Sequence, residues 1–226
     1  MSWLLNSSIG RKLIMALSGC CLVLFLLFHM LMNLVSIVSI EAYEQICGFL
    51  GTNWYAVLAT GGLALLILVH VAYAVYLTFQ NRKARGGSSY ASSNLTPTGW
   101  TSKNMLVLGV VLGAFLLLHL YDFWFKMMFA ELFHLEDIVI LPEEVGSHME
   151  MLFGSPIRVV LYLIGIAALW LHLTHGVWSM FQTVGFSSKV WLPRLKCIGY
   201  IFATIICGGF AVVPIFFFAK YMLCGA

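Results

Sequence analysis

Five histidines stand inside long apolar stretches of this 226-residue chain: His29, His70, His119, His172 and His175. An ionisable side chain is expensive in hydrocarbon, so a histidine there marks a functional position by default. Neutral imidazole is a common metal ligand. Two imidazoles from two helices can also hold one haem iron between them. Four of the apolar stretches carry at least one histidine, and the fifth carries none. One histidine on each of four helices is what two bis-histidine haems require. A zinc or copper site is a rival, but such sites want several ligands at one depth. Purely structural, hydrogen-bonded histidines are the plain alternative.

These side chains must be held by membrane-spanning elements. Hydrophobic residues make up 62% of the chain and charged residues 9%. A soluble domain is about 25% charged, so an ordinary soluble domain, a disordered chain and a nucleic-acid binder are excluded. The apolar stretches cover residues 13–40, 54–80, 104–130, 157–183 and 197–224. Each exceeds the ~20 residues a helical span needs. They are continuously apolar rather than alternating, which argues against barrel strands. The first is too long for a signal-peptide core and is read as a span. The expectation is a single all-α integral membrane domain over residues 1–226, with five transmembrane helices in a bundle enclosing two haems.

Basic residues give the direction. Arg11, Lys12, Arg82, Lys83, Arg85, Lys103, Lys189, Arg194 and Lys196 fall before span 1, between spans 2 and 3, and between spans 4 and 5. Lys126, Arg158 and Lys220 fall on the other side with all nine acidic residues. The positive-inside rule then sets the N-terminus in the cytoplasm and the C-terminus outside. The linker over residues 84–102, ARGGSSYASSNLTPTGWTS, reads as a solvated inner loop. The outer segment at 131–156 is acidic and is expected to carry a short helix after Pro142. His134 and His148 lie in it and are expected to be solvated.

The same charges serve as rulers. His29 lies 17 residues after Lys12, and His119 lies 16 after Lys103, which is about 25 and 24 Å of helix. His70 precedes Arg82 by 12 residues and His175 precedes Lys189 by 14, about 18 Å and at most about 21 Å. His29 and His119 therefore share an outer level, and His70 and His175 an inner one. His172 lies three residues before His175, on nearly the same face, and is a rival ligand. Its depth fits the outer level better, and Gly176 leaves room for a porphyrin beside His175, so His175 is preferred. Gly19, Gly109 and Gly165 each stand ten residues before a histidine, and Gly62 stands eight before His70. They are candidate notches for the second porphyrin, with ordinary helix packing as the alternative. None of the six cysteines forms CxxC or CxxCH, which argues against a zinc ribbon, an iron–sulfur cluster or covalently attached haem.

Span 1 reads RKLIMALSGCCLVLFLLFHMLMNL, with His29 followed by Asn33, and span 4 reads HLTHGVWSMFQTVGF, with the pair His175-Gly176. With one ligand per helix on spans 1 to 4, the whole chain resembles the di-haem cytochrome b membrane subunit of succinate dehydrogenases and fumarate reductases. These are the succinate:quinone oxidoreductases of the single-subunit, five-helix type. The resemblance implies two haem b groups, His29 with His119 and His70 with His175. It implies an FAD flavoprotein subunit and an iron–sulfur subunit docked on the cytoplasmic face of a bacterial inner membrane. It also implies a quinone, menaquinone by preference, near the outer haem. Succinate and fumarate chemistry would belong to the partner, and this chain would be the quinone-reactive electron-transfer subunit of that enzyme.

A quinone site needs a group that exchanges protons with the quinone oxygens. Glu44 and Glu41, just after span 1, are the candidates the resemblance suggests; Tyr43 and Asn33 rank below them. A solvated loop carboxylate is the alternative. Some relatives carry a glutamate two residues before the span 4 ligand; here that position is Leu173, with His172 as a possible substitute. Inner-haem propionates need donors near the cytoplasmic face, where Arg11, Lys12, Trp100, Lys103 and Lys189 lie; each can equally be an interfacial anchor. The nearest rival function is the cytochrome b subunit of a hydrogenase or formate dehydrogenase. A rival of another class is a haem-free transport or assembly protein, though neither broken helices nor inverted repeats are visible.

Overall fold

The computed structural model describes residues 7–51, 53–85, 100–186 and 188–224. Most of the inner loop expected at 84–102 lies outside them. The described residues contain helices and no strand. Five of the helices are long and apolar enough to cross a membrane: Ser8–Val38, Trp54–Ala84, Met105–Leu132, Pro156–Thr183 and Trp191–Leu223. Each covers one of the five expected stretches. Large apolar side chains such as Leu24, Leu65, Leu68, Val110 and Leu117 stay exposed along them, as a surface solvated by lipid requires.

Local chemistry sets the element ends. Helix α1 (Ser8–Val38) starts where the Ser7 hydroxyl accepts from the Gly10 N–H at 2.9 Å, an N-cap bond. Ser39 breaks the chain there and caps the next element, α2 (Ile40–Gly51), by accepting from the Ala42 N–H at 3.2 Å. Helix α3 is Trp54–Arg85, and α4 is Met105–His119. At Leu120 the α-helix widens into a π-helix that runs to Phe129, where the Ala130 N–H points five residues back to the Phe125 carbonyl. Such wide turns are rare and concentrate at functional positions. After Pro142 the chain forms a short 3₁₀ turn and then α5 (Val145–Gly154).

Helix α6 (Pro156–Thr183) opens with proline in its first turn, where the missing N–H costs nothing. It closes with a Schellman turn. The Phe186 N–H reaches the Phe181 carbonyl at 3.0 Å, the Gly185 N–H reaches the Gln182 carbonyl at 3.1 Å, and Gly185 takes φ of 100°, the left-handed conformation glycine supplies. Helix α7 is Trp191–Cys224 and accommodates Pro214 in its interior.

The chain packs as two compact units. The first comprises Met1–Phe25, Gly62–Val110 and Trp170–Ala203; the second comprises Leu26–Gly61, Val111–Leu169 and Thr204–Ala226. Every one of the five long helices therefore gives one stretch to each unit. The second unit has the larger buried cluster, built on Tyr43, Val145, Met149, Phe153, Tyr162, Val213 and Phe217. Its helices approach closely at small residues. A Cβ on Gly146 would lie 2.5 Å from Ile40 Cγ1, and one on Gly209 2.5 Å from Met30 Sδ. A Cβ on Gly165 would run into the Phe115 ring.

Candidate functional site

In the second unit, α1 supplies His29 and the end of α4 supplies His119. Their ring centroids are 5.8 Å apart, at 79° to one another. Aromatic side chains enclose them: Phe210 lies 5.6 Å from His29, while Phe123 and Tyr162 lie 5.3 and 6.2 Å from His119. Asn33, one turn after His29, donates to the His29 carbonyl at 2.8 Å and sets its amide 3.4 and 3.5 Å from the two ring nitrogens. The buried Tyr43 donates to the Asn33 side-chain oxygen at 3.4 Å.

In the first unit, α3 supplies His70 and α6 supplies His172, with centroids 6.4 Å apart at 63°. The Ser18 hydroxyl donates to the Met15 carbonyl at 3.1 Å and lies 3.1 Å from His70 Nδ1. The Ser18 contact orients the His70 ring. A metal-ligating histidine is oriented by just such a bond on its other nitrogen. Gly19 lies against the same ring, where a Cβ would meet His70 Cε1 at 3.4 Å. The Nδ1 of His172 is buried without a hydrogen-bond partner, an unsatisfied polar atom of the kind that calls for an explanation.

The residue opposite His70 is thus His172, where the spacing argument had preferred His175. His175 instead sets its ring 4.9 Å from Trp178. The depth measured from Lys189 was an upper bound, and α6 stops at Thr183. Measured from there, His172 is about 16 Å deep and His175 about 12 Å. The glycine notches divide similarly: Gly19 borders His70, Gly165 is occupied by Phe115, and Gly62, Gly109 and Gly176 face open space.

The other candidates are dispersed. In the first unit Arg11 donates to the Tyr76 hydroxyl at 2.7 Å and lies over its ring; Trp100 and Lys189 are exposed. In the second unit Glu41 and Glu44 line a cavity with Gln45, Gly48, Pro142 and Glu143. Glu41 is exposed, and its carboxyl is held below the usual range by a backbone N–H and the Ser39 hydroxyl. Glu44 is half-buried and accepts from the Gly146 N–H at 3.4 Å, tying α2 to α5. Next to it, burial pushes the Cys47 thiol up to about 11.

One cluster is not anticipated by the spacing. Asp122, on the π-helix, is fully buried. Arg158 Nη1 lies 3.1 Å from its Oδ2 and 3.0 Å from its Oδ1, the second contact out of line for a hydrogen bond. The Tyr162 hydroxyl donates to Oδ2 at 3.0 Å. His148, expected to be solvated, is buried on α5 and donates from Nε2 to the Asp122 carbonyl at 2.8 Å. His134 is exposed. The signal was present: Asp122 and Arg158 lie inside apolar spans, where a charge needs a partner, but both were counted with the outer charges.

The donor sets fit haem iron. Metal–nitrogen bonds of about 2.0 Å on opposite sides of one ion put two imidazole centroids about 6 Å apart, which both pairs satisfy. The fit is supported by the orphaned Nδ1 of His172. No group of three or more His, Cys, Asp or Glu side chains suited to a metal ion occurs among the described residues; the histidines come as pairs. Compared with known protein families, curated proteins and solved structures, the chain matches none.

Proposed function

We propose that this chain is a haem b-containing membrane anchor of a succinate:quinone oxidoreductase. In that role it passes electrons between membrane quinone and iron–sulfur and flavoprotein subunits on the cytoplasmic face. The observation that carries the reading is the pair of inter-helix imidazole couples, His29 with His119 and His70 with His172, each in its own compact unit and each at haem-ligating separation. Haem, when bound, supplies a one-electron change at iron.

The chain's own residues do the rest. The four histidines would hold the two haem irons, and Ser18 orients the ring of His70. Phe115, Phe123, Tyr162 and Phe210 keep water from the His29–His119 pair. Asn33, tied to Tyr43, fixes the turn of α1 that carries His29. Arg11, oriented by Tyr76, and Lys189 and Trp100 at the basic face are placed to meet carboxylates or lipid headgroups. Glu41 and Glu44, at the cavity beyond α1, are the proposed proton-exchanging groups for quinone. The basic-residue asymmetry supports a cytoplasmic N-terminus and an outer C-terminus.

The test is to purify the complex through a tag on this chain and identify what accompanies it. A flavoprotein and an iron–sulfur protein with succinate:quinone activity support the reading. A nickel or molybdenum protein points to the hydrogenase or formate dehydrogenase class, and a colourless preparation points away from haem altogether.

A further inference from the structure

Asp122 is a carboxylate with no exposed surface inside a span. Charges in such a place are costly and are kept where they do something. Its partner Arg158 is only partly covered, with 32% of its side chain exposed, so the anion lies deeper than the cation. The carboxylate also holds the Tyr162 hydroxyl at 3.0 Å, and the Tyr162 ring faces His119 at 6.2 Å. Asp122 follows His119 by three residues and stands on the π-helix that begins immediately after it. The cluster and the proposed ligand are therefore joined twice, through the backbone and through one aromatic ring. Asp122 itself has no exposed surface, so its field is screened less than that of a surface charge.

We propose that the buried Asp122–Arg158 pair sets the redox potential of the iron held by His29 and His119. The inference rests on the haem reading of that histidine pair. An anion nearby favours the ferric form and lowers the potential; a cation does the opposite. Removing one member leaves the other uncompensated, so the two single substitutions must act with opposite signs. Packing alone predicts no such sign rule. A purely structural pair would disturb haem content or stability without opposite shifts.

The experiment is a potentiometric titration of the haem absorbance in the purified complex, for wild type, Asp122→Asn, Arg158→Gln and the double variant. Asp122→Asn keeps the shape and can still accept from Tyr162. It is expected to raise the midpoint of one of the two haems by a tenfold change in the ferric-to-ferrous ratio, about 59 mV for one electron. Arg158→Gln is expected to lower the same midpoint, and the double variant to return toward wild type. The other haem stays unchanged. If Arg158→Gln does not assemble, Asp122→Asn against the double variant still gives the sign. Two haems whose midpoints ignore Asp122→Asn, or single variants that shift in the same direction, overturn the proposal and leave the haem reading standing. A wild-type complex without haem removes both.

Discussion

His172 and His175 are three residues apart on one helix, yet one faces His70 and the other faces Trp178. Residue type marked both as candidate ligands; ring direction favours His172 for the proposed haem. Replacing His172 with alanine is expected to reduce haem content from two per chain to one, while His175→Ala retains two. The opposite pattern in a haemochrome assay would return the ligand role to His175. The sequence carried enough to find the histidines, because polar residues in apolar spans are conspicuous. The depth measured from Lys189 was an upper bound, and α6 ends earlier, at Thr183, before the turn at Gly185; what the sequence did not carry is the direction of each ring. Asp122 and Arg158 were equally visible as charges, but their pairing joins residues 36 positions apart, and no local spacing rule reaches that far.

At the scale of elements, helices were legible because continuous apolar runs in lipid have few alternatives. The π-helix at Leu120–Phe129 was not, since no residue pattern announces an i→i+5 turn. Helix approach was half legible: glycines were visible, but not which neighbour each admits. Gly165→Ala is expected to cost about 1–3 kcal/mol, because Phe115 must move to make room for the methyl. Thermal unfolding in detergent would read this, and an unchanged midpoint would deny the close approach. Desolvation on α5 lowers the pKa of His148 from 6.5. The folded form thus disfavours the proton more than the unfolded form does. This contribution to stability is complete above pH 6.5 and is lost as pH falls through the folded pKa. A His148→Asn variant should lose stability less steeply below pH 6.5 than wild type, measured by unfolding midpoints across that range. Parallel slopes would mean that His148 is not the group responsible.

For the whole molecule, the sparse charges serve two different ends. Nine basic residues lie before span 1 and in two connections, between spans 2 and 3 and between spans 4 and 5, which the charge rule assigns to one side. The three basic residues assigned to the other side include two in ion pairs, Arg158 with Asp122 and Lys220 with Glu150. Composition alone could say that the chain lives in a membrane; it could not say that the five long helices each serve two compact units, with one imidazole pair in either. That division is the strongest support for the proposed two haems over one. The most direct measurement is the pyridine haemochrome content of the purified chain, normalised to protein by amino-acid analysis. Two haems b per chain is the predicted result; one or none would contradict the account.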